Sequence, residues 1–484
     1  MRVRTVVVLT TLALVAAGCG SRLNEEQRLA AIGAGGSGGG GLAAGEAGGD
    51  FGTGDTGADE AGALTGDAGT GGDGAGGGDA GAGGGGAGGA SAASKPPPGG
   101  NGGATDVGVT GTEITIAVLT DLTGPVPGIF RPSVDAVQAW ANLINSQGGI
   151  HGRKIKVVPI DSKTNSNDNR AGALQACRQA FAIVGSMSAY DDGGAGPIND
   201  CGIPDLSATT VNQARDEAKT TYPAYPNVAR HYILGPKKLM DEQNPGAKDT
   251  AAMLWLNASV ASFNAKKNVQ AAESIGYNFV YERAVEVVEP NYTPYVNAMR
   301  DANVQYVSMV GDNNSVARLL KAFQSQNYHP KVKEFDTVIY DQKFLKNAGA
   351  AAEGVFTSIT ATPIEEAAGN REYTLYINTL KRSTSNPPDA FFGLYAWSAS
   401  RLFQEAIEKT GPQITRAKLI SFLQGLHSWD SHGLHAPHDI GNKRPANCFV
   451  MLKVQGGKFV RHQPAGGGFD CNKVPLYNVR FPVG

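Results

Sequence analysis

Small hydroxyl residues follow directly on two short apolar runs in this 484-residue chain. The first is FAIVGSMSAY, residues 181–190. Its run Phe181-Ala-Ile-Val184 stops at Gly185, and Ser186, Ser188 and Tyr190 follow. The second is PDLSATT, residues 204–210, which ends on Thr209 and Thr210. Runs this short read as buried strands rather than helices. At the carboxyl end of a parallel strand the next helix presents unpaired backbone N–H groups, and hydroxyls there can hold an anionic or polar ligand. The same hydroxyls can act as helix caps. Acids close other runs: Asp312 after VQYVSMVG and Asp341 after VIY, with Asp191 and Asp192 next to Tyr190. Each could accept from an ammonium group. Asp312 precedes Asn313-Asn314-Ser315 and is equally well placed as an N-cap. Asn257 follows TAAMLWL, and Tyr190, Tyr292 and Tyr340 offer apolar walls with a polar tip.

Catalytic signatures do not accompany these residues. There is no GxSxG elbow, P-loop, HExxH or Cys–His pairing at catalytic spacing, so the chain reads as a binder without a cofactor rather than an enzyme. His427, His432, His435 and His438 crowd into HSWDSHGLHAPHD, but at no zinc-signature spacing, and read as a surface loop.

The N-terminus reads as a targeting segment. Arg2 and Arg4 precede an apolar stretch of about a dozen residues, short of the ~20 that span a bilayer. It ends in Leu14-Val-Ala-Ala-Gly-Cys19, which resembles a bacterial lipobox and implies cleavage before Cys19 and lipidation of its thiol. About half of the 66 glycines lie between residues 33 and 103, a composition that cannot bury a core. This stretch reads as a disordered tether. Over roughly 90 residues, a Gly-rich coil reaches about 50–55 Å on average. Net charge is −2, and removing residues 1–112 leaves about +4, too mild and dispersed for nucleic acid. With Cys19 lipidated, four cysteines remain in an exported, oxidising setting. Of their three possible pairings we expect the sequence-local one, Cys177–Cys201 and Cys448–Cys471. The absence of CxxC spacing disfavours a metal site.

The rest of the chain positions the strand ends. Residues 114–121 (ITIAVLTD), 153–161 (RKIKVVPID), 181–184 and 204–210 read as strands, with helices between them. The alternation restarts at residues 250–256, 277–284, 304–311, 335–340 (FDTVIY) and 354–359. Two such series predict two doubly wound parallel-sheet α/β lobes. Residues 390–409 read as a long amphipathic helix whose Phe391, Leu394 and Tyr395 pack in the core. Residues 449–460 read as a β-hairpin around Gly456-Gly457.

In this order, several pieces resemble the type I periplasmic binding proteins, in particular the leucine/isoleucine/valine-binding branch of ABC-transporter solute-binding proteins. They are Leu122-Thr-Gly-Pro125, Asn145 with Gly148-Gly-Ile150, Gly152-Arg-Lys154, and Asp161 closing the second strand. IVGSMSA, CGIPDLSATT, Asn227-Val-Ala-Arg230 and Ala352-Glu-Gly-Val-Phe356 extend the match to about residues 113–460. The resemblance implies two lobes joined by hinge crossovers, with a ligand closing the cleft between them. We expect a signal peptide at 1–18, the lipid-anchor cysteine and linker at 19–112, lobe one at 113–230 plus 360–427, and lobe two at 231–359 plus 428–484. A ligand carboxylate would fall to Ser186, Ser188, Thr209 and Thr210, and an ammonium to Asp312, Asp341, Asp191 or Asp192. Departures from the family pattern occur at Tyr190-Asp-Asp-Gly-Gly194 and in the long C-terminal tail.

The expected function is capture of a small polar ligand, an amino acid or related compound, for an ABC importer. Its partners would be permease and ATPase subunits and, through the lipid, the outer face of the cytoplasmic membrane. A sensing receptor without transport, or a surface enzyme, are the alternatives. Replacing Cys19 by serine should move the protein from the membrane fraction to the soluble exported fraction. Retention of the Cys19→Ser protein on membranes would contradict lipidation at this residue.

Overall fold

Two parallel α/β series build two sheets, each carrying its own apolar core. In the computed structural model, residues 99–124, 128–386, 391–471 and 474–482 are described. The signal segment, Cys19 and the tether up to residue 98 lie outside the described residues.

The first sheet contains β1 (Glu113–Thr120), β2 (Lys154–Asp161), β3 (Ala182–Val184) and β4 (Asp205–Leu206), in the order β2-β1-β3-β4. All its pairings are parallel. The helix Arg131–Ser146 links β1 to β2 and carries a proline in its first turn, where the missing N–H costs nothing. The turn back to β2 depends on Gly149. Its φ is +87°, and a Cβ there would sit 2.0 Å from the Arg153 carbonyl oxygen. The helix Ser166–Gln179 starts at Asn165, whose side chain accepts from the Asn167 and Asp168 N–H groups.

The second sheet contains β5 (Ala251–Leu256), β6 (Phe279–Val285), β7 (Tyr306–Val310), β8 (Val332–Phe335) and β9 (Phe356–Ile359), with β10 (Val450–Gln455) and β11 (Lys458–Gln463). Its order is β11-β10-β9-β8-β7-β5-β6. The first five strands pair in parallel, while the β10–β11 hairpin adds antiparallel to β9. The strand expected at FDTVIY ends at Phe335. Asp336 accepts from the Val338 N–H at 3.2 Å and starts a short 3₁₀ turn, Thr337–Ile339, so residues 337–339 leave the sheet.

Core membership traces the crossings. Tyr225 belongs to the first core and Ala252 to the second, Ile359 to the second and Ala361 to the first, Ile440 to the first and Val450 to the second. Three crossings therefore join the two lobes. Trp429, Leu434 and Ile440 are buried in the first core, so we propose that the last boundary lies nearer residue 447 than 428. Residues 99–112, assigned to the tether by composition, pack on the first lobe. The Arg153 guanidinium, fully buried, donates to the carbonyls of Asn101, Gly103, Thr110 and Pro412 at 2.5–2.9 Å. Both expected disulfides, Cys177–Cys201 and Cys448–Cys471, are formed. Among the described residues, no helix is long and apolar enough to cross a membrane.

The expected amphipathic helix is Phe392–Thr410, and it packs along Arg131–Ser146. Trp140 meets Phe403 edge-on at 6.1 Å, and its Nε1–H donates to Gln404 Oε1 at 3.1 Å. This contact sets how the two helices present Phe130 and Phe392, whose rings lie 4.8 Å apart. Trp140→Ala should destabilise the protein by about 3–5 kcal/mol, read as a lower denaturant midpoint with an unchanged slope. A loss under about 1 kcal/mol would mean that the helix pair does not depend on this side chain.

Candidate ligand-binding cleft

The strand ends of the first lobe are tied together by one buried carboxylate. Asp121, just past β1, accepts from Ser162 Oγ (2.5 Å), Ser188 Oγ (2.8 Å), the Thr164 N–H (3.2 Å) and the Ala189 N–H (2.7 Å). The loops after β1, β2 and β3 thus converge on a single group. Asp161, at the end of β2, organises Leu122-Thr123 in the same way, accepting from both N–H groups, from Thr123 Oγ1 and from the Lys163 N–H. Burial would raise its pKa, but these bonds, that from Thr123 foremost, outweigh it and lower the pKa.

The hydroxyls expected to meet a ligand carry structural bonds. Ser186 Oγ accepts from the Leu119 N–H at 2.8 Å, Thr209 Oγ1 donates to the Asn227 carbonyl at 2.5 Å, and Thr210 Oγ1 donates to Asp216 at 2.9 Å. The Tyr190 N–H donates to Ser188 Oγ. Asp191 is buried and accepts from the Val211 N–H and Asn212 Nδ2, and burial pushes its pKa up to about 7 against the opposing charge of Arg215. Asp192 accepts from Ser166 Oγ.

In the second lobe the acids are caps. Asp312 caps the helix Asn313–Ser325, taking the Asn314 and Ser315 N–H groups and Ser315 Oγ. Asp341 caps the helix Gln342–Ala348 and also takes Asn313 Nδ2 at 3.1 Å. Asn257 donates to Glu286. Tyr292 is buried in the second core with the Arg318 guanidinium 5.8 Å from its ring centroid. Tyr340 is also in that core, its hydroxyl donating to Glu365 and accepting from the Ile364 N–H.

A cleft of about 1110 Å³, counting space open to solvent, lies where the two sets of strand ends face each other. It brings together Ser188, Tyr190 and Thr209 from the first lobe and Asp312 from the second. Ser186, Thr210, Asn257, Tyr292, Tyr340 and Asp341 are not among its lining residues. The walls are mainly apolar: Phe130, Met187, Phe391 and Phe392 face Leu256, Val260, Val310 and Val338. No lysine, arginine or histidine is among the described lining residues.

Behind this cleft lies a second, polar chamber beside the crossings. Asn227, Asn264, Asp336 and Tyr395 line both spaces. The chamber adds Lys237, Lys267, Glu334, His231 and Asn268. Tyr395 stacks on Tyr225 with 3.4 Å between ring centroids. Lys237 is fully buried and satisfied, since its ammonium lies 3.3 Å from Glu334 and donates to the Tyr306 hydroxyl.

Residues 113–458 match the family model of the periplasmic binding proteins. The chain belongs to that family. It is of the type I, leucine/isoleucine/valine-binding kind. A relative from Brucella abortus, Leu/Ile/Val-binding protein homolog 4, is 26% identical over 328 residues, covering 63% of this chain and 74% of its own. Among solved structures, a branched-chain amino acid ABC transporter from Thermus thermophilus with bound valine superposes with a TM-score of 0.63 at 15% identity, covering 72% of this chain and 95% of its own. A fatty acid ABC transporter substrate-binding protein from Thermomonospora curvata superposes at 0.64 and 18%, covering 76% and 95%. These structural likenesses establish the shared fold. The family makes this chain a solute-binding protein that works outside the cytoplasm.

Sequence reasoning missed the apolar wall and the chamber. Phe391 and Phe392 have core periodicity, and nothing local distinguishes a wall facing a cleft from one facing a helix. Lys267 sits inside a helical stretch beside Lys266, and nothing local tells the buried one of the pair from the other. Asp336 follows the strand Val332–Phe335, but VKEF is not an apolar run, and FDTVIY reads as the strand in its place.

The histidine-rich segment holds no metal cluster: no group of three or more candidate ligands occurs among the described residues. It is not wholly superficial either. His435 and His438 are buried, while His427 is exposed and pairs with Asp439. His435 exchanges hydrogen bonds with Ser398 Oγ and the Ala436 carbonyl, both at 2.8 Å. Burial pushes the pKa of His435 down to about 4 and that of His438 to about 3. Both therefore fold as neutral rings. Their contribution is fully present above the unfolded value of about 6.5 and is lost as pH falls toward 4. Stability should decline between pH 6.5 and 4.5, and the His438→Gln variant should decline less steeply, as measured by denaturant midpoints. Equal slopes would show that His438 is not neutral in the folded state.

Proposed function

We propose that this protein is the substrate-capturing subunit of an ABC importer, held at the membrane by lipid on Cys19 and carrying its lobes on the Gly-rich tether. Its ligand is a small compound of the amino-acid kind or a related molecule with an apolar body. The observation that carries this reading is the cleft itself. Loops after strands of both sheets form its two walls, and three crossings are the only chain segments linking them among the described residues. A ligand touching both walls binds the closed form better than the open one, and that differential affinity drives hinge closure. The closed form is then the shape read by a permease–ATPase partner. The apolar walls suit the aliphatic side chain of valine, which the Thermus thermophilus relative holds, and equally the chain of a fatty acid, named for the Thermomonospora curvata relative.

A thermal-shift screen of aliphatic amino acids, their amides and aliphatic acids tests the reading. A ligand at about 100 times its Kd adds about 2.7 kcal/mol of stability. The same ligand should shrink the radius of gyration in small-angle X-ray scattering as the lobes close. Stabilisation without compaction would contradict hinge closure, and no stabilisation by any compound would remove the solute class proposed here.

A further inference from the structure

Resting on that reading, we propose that the solute is an amphipathic monocarboxylate. Its alkyl body fills the apolar cleft, and its carboxylate is held by the Lys267 ammonium in the polar chamber behind Tyr395.

The Lys267 ammonium is buried and has no ion-pair partner among the described residues. Lys267, in the helix Ser259–Glu273, is 4% exposed. An ammonium has three donors. Here the described partners are one carbonyl, Val228 at 3.3 Å, and the Phe263 ring at 5.9 Å. No carboxylate forms an ion pair with it among the described residues, in contrast to Lys237, which has Glu334. Burying an ion without a counter-charge is costly, and burial accordingly pulls the Lys267 pKa down to about 8 despite the pull of Asp336 and Asp216. An incoming anion would supply the missing charge.

Neighbouring groups agree. Nδ1 of His231 is also buried without a hydrogen-bond partner and lines the chamber, where an Nδ1–H tautomer can donate to a carboxylate. Its acids do not repel an anion strongly. Glu334 is engaged by Lys237 and the Tyr306 hydroxyl, and Asp336 accepts from the Val338 N–H and faces the charges of Lys267 and Lys237.

An α-ammonium, by contrast, finds little to accept it in the cleft. Asp121 already takes four donors and Asp312 three. The remaining cleft acid, Asp336, accepts from the Val338 N–H and lies in the field of Lys267 and Lys237, which repels a further cation. An anionic head with an apolar body therefore matches the two adjoining spaces better than a zwitterion does.

Isothermal titration of the full chain separates the possibilities. Octanoate should bind at least about tenfold more tightly than 1-octanol, the advantage of a hydrogen bond to a charged group. In Lys267→Met this ratio should fall to near one, and in Lys267→Arg it should persist. Because 4-methylpentanoate is leucine without its amine, it should bind at least as well as leucine. Equal binding of octanoate and octanol to the native protein, or an unchanged ratio in Lys267→Met, would overturn the proposal. Leucine binding well above 4-methylpentanoate would also overturn it, while leaving the solute-binding reading intact. Failure of every one of these ligands to bind would overturn the proposal together with the apolar-bodied ligand class, and would leave the family's solute-binding role standing.

Discussion

The architecture of the binding face depends on the Asp121 carboxylate. A buried carboxylate is stable only when its lone pairs are filled, and this one is filled by donors from the loops after three different strands. The loops cannot move apart without leaving a buried charge partly unpaired. The first-lobe wall is therefore a rigid surface that meets the ligand ready-made. The same saturation removes Asp121 as an ionic contact. Ser186, Thr209 and Thr210 are likewise committed to backbone and side-chain partners within their own lobe. A wall stiffened by its polar groups presents mainly Phe130, Met187, Phe391 and Phe392 to the cleft.

Much of the fold was legible in the sequence because strand–helix alternation is a local property. β1, β2 and β5 read directly from short apolar runs, and the two disulfides from cysteines spaced within single supersecondary units. The exceptions have physical causes. FDTVIY has strand composition throughout, but Asp336 satisfies the Val338 N–H and diverts the chain out of the sheet. Residues 99–112 look like tether because they are glycine-rich, yet their carbonyls are what the buried Arg153 needs. Residues 429–440 contain turn-forming residues and histidines, and their burial comes from Trp429 and Leu434 docking in the first core. The position of the cleft was legible for the same reason as the sheets: Ser188, Tyr190, Thr209 and Asp312 are strand-end residues that line it. Its chemistry was not, because polarity at a strand end says nothing about whether a side chain is already occupied.

Charge distribution at the crossings extends this point. In the first lobe every buried acid described here has partners nearby: Asp205 has Arg215 at 2.8 Å and Asp216 has Arg230 at 2.5 Å. Beside the crossings the pairing is looser: Lys267 is buried and Asp336 half-buried, and they act on each other electrostatically without forming an ion pair. Fully paired groups rigidify a structure, whereas unpaired ones make it responsive to whatever enters. The buried acids of the first lobe are paired with arginines, whereas Lys267 lies beside the crossings without an ion pair.

This division also decides where selectivity can arise. Apolar walls discriminate weakly, since one methylene changes binding by only about 1–3 kcal/mol. A buried polar group left unmatched costs more, so under the proposed reading the chamber around Lys267 would reject a wrong head more sharply than the cleft would a wrong tail. In the closure proposed above, excluding water would lower the effective dielectric around the ammonium and raise the value of a correct counter-charge. The lobe-one hydroxyls, spent on holding Asp121 and the strand ends, then serve recognition indirectly: they fix the wall against which the chamber's electrostatics can act.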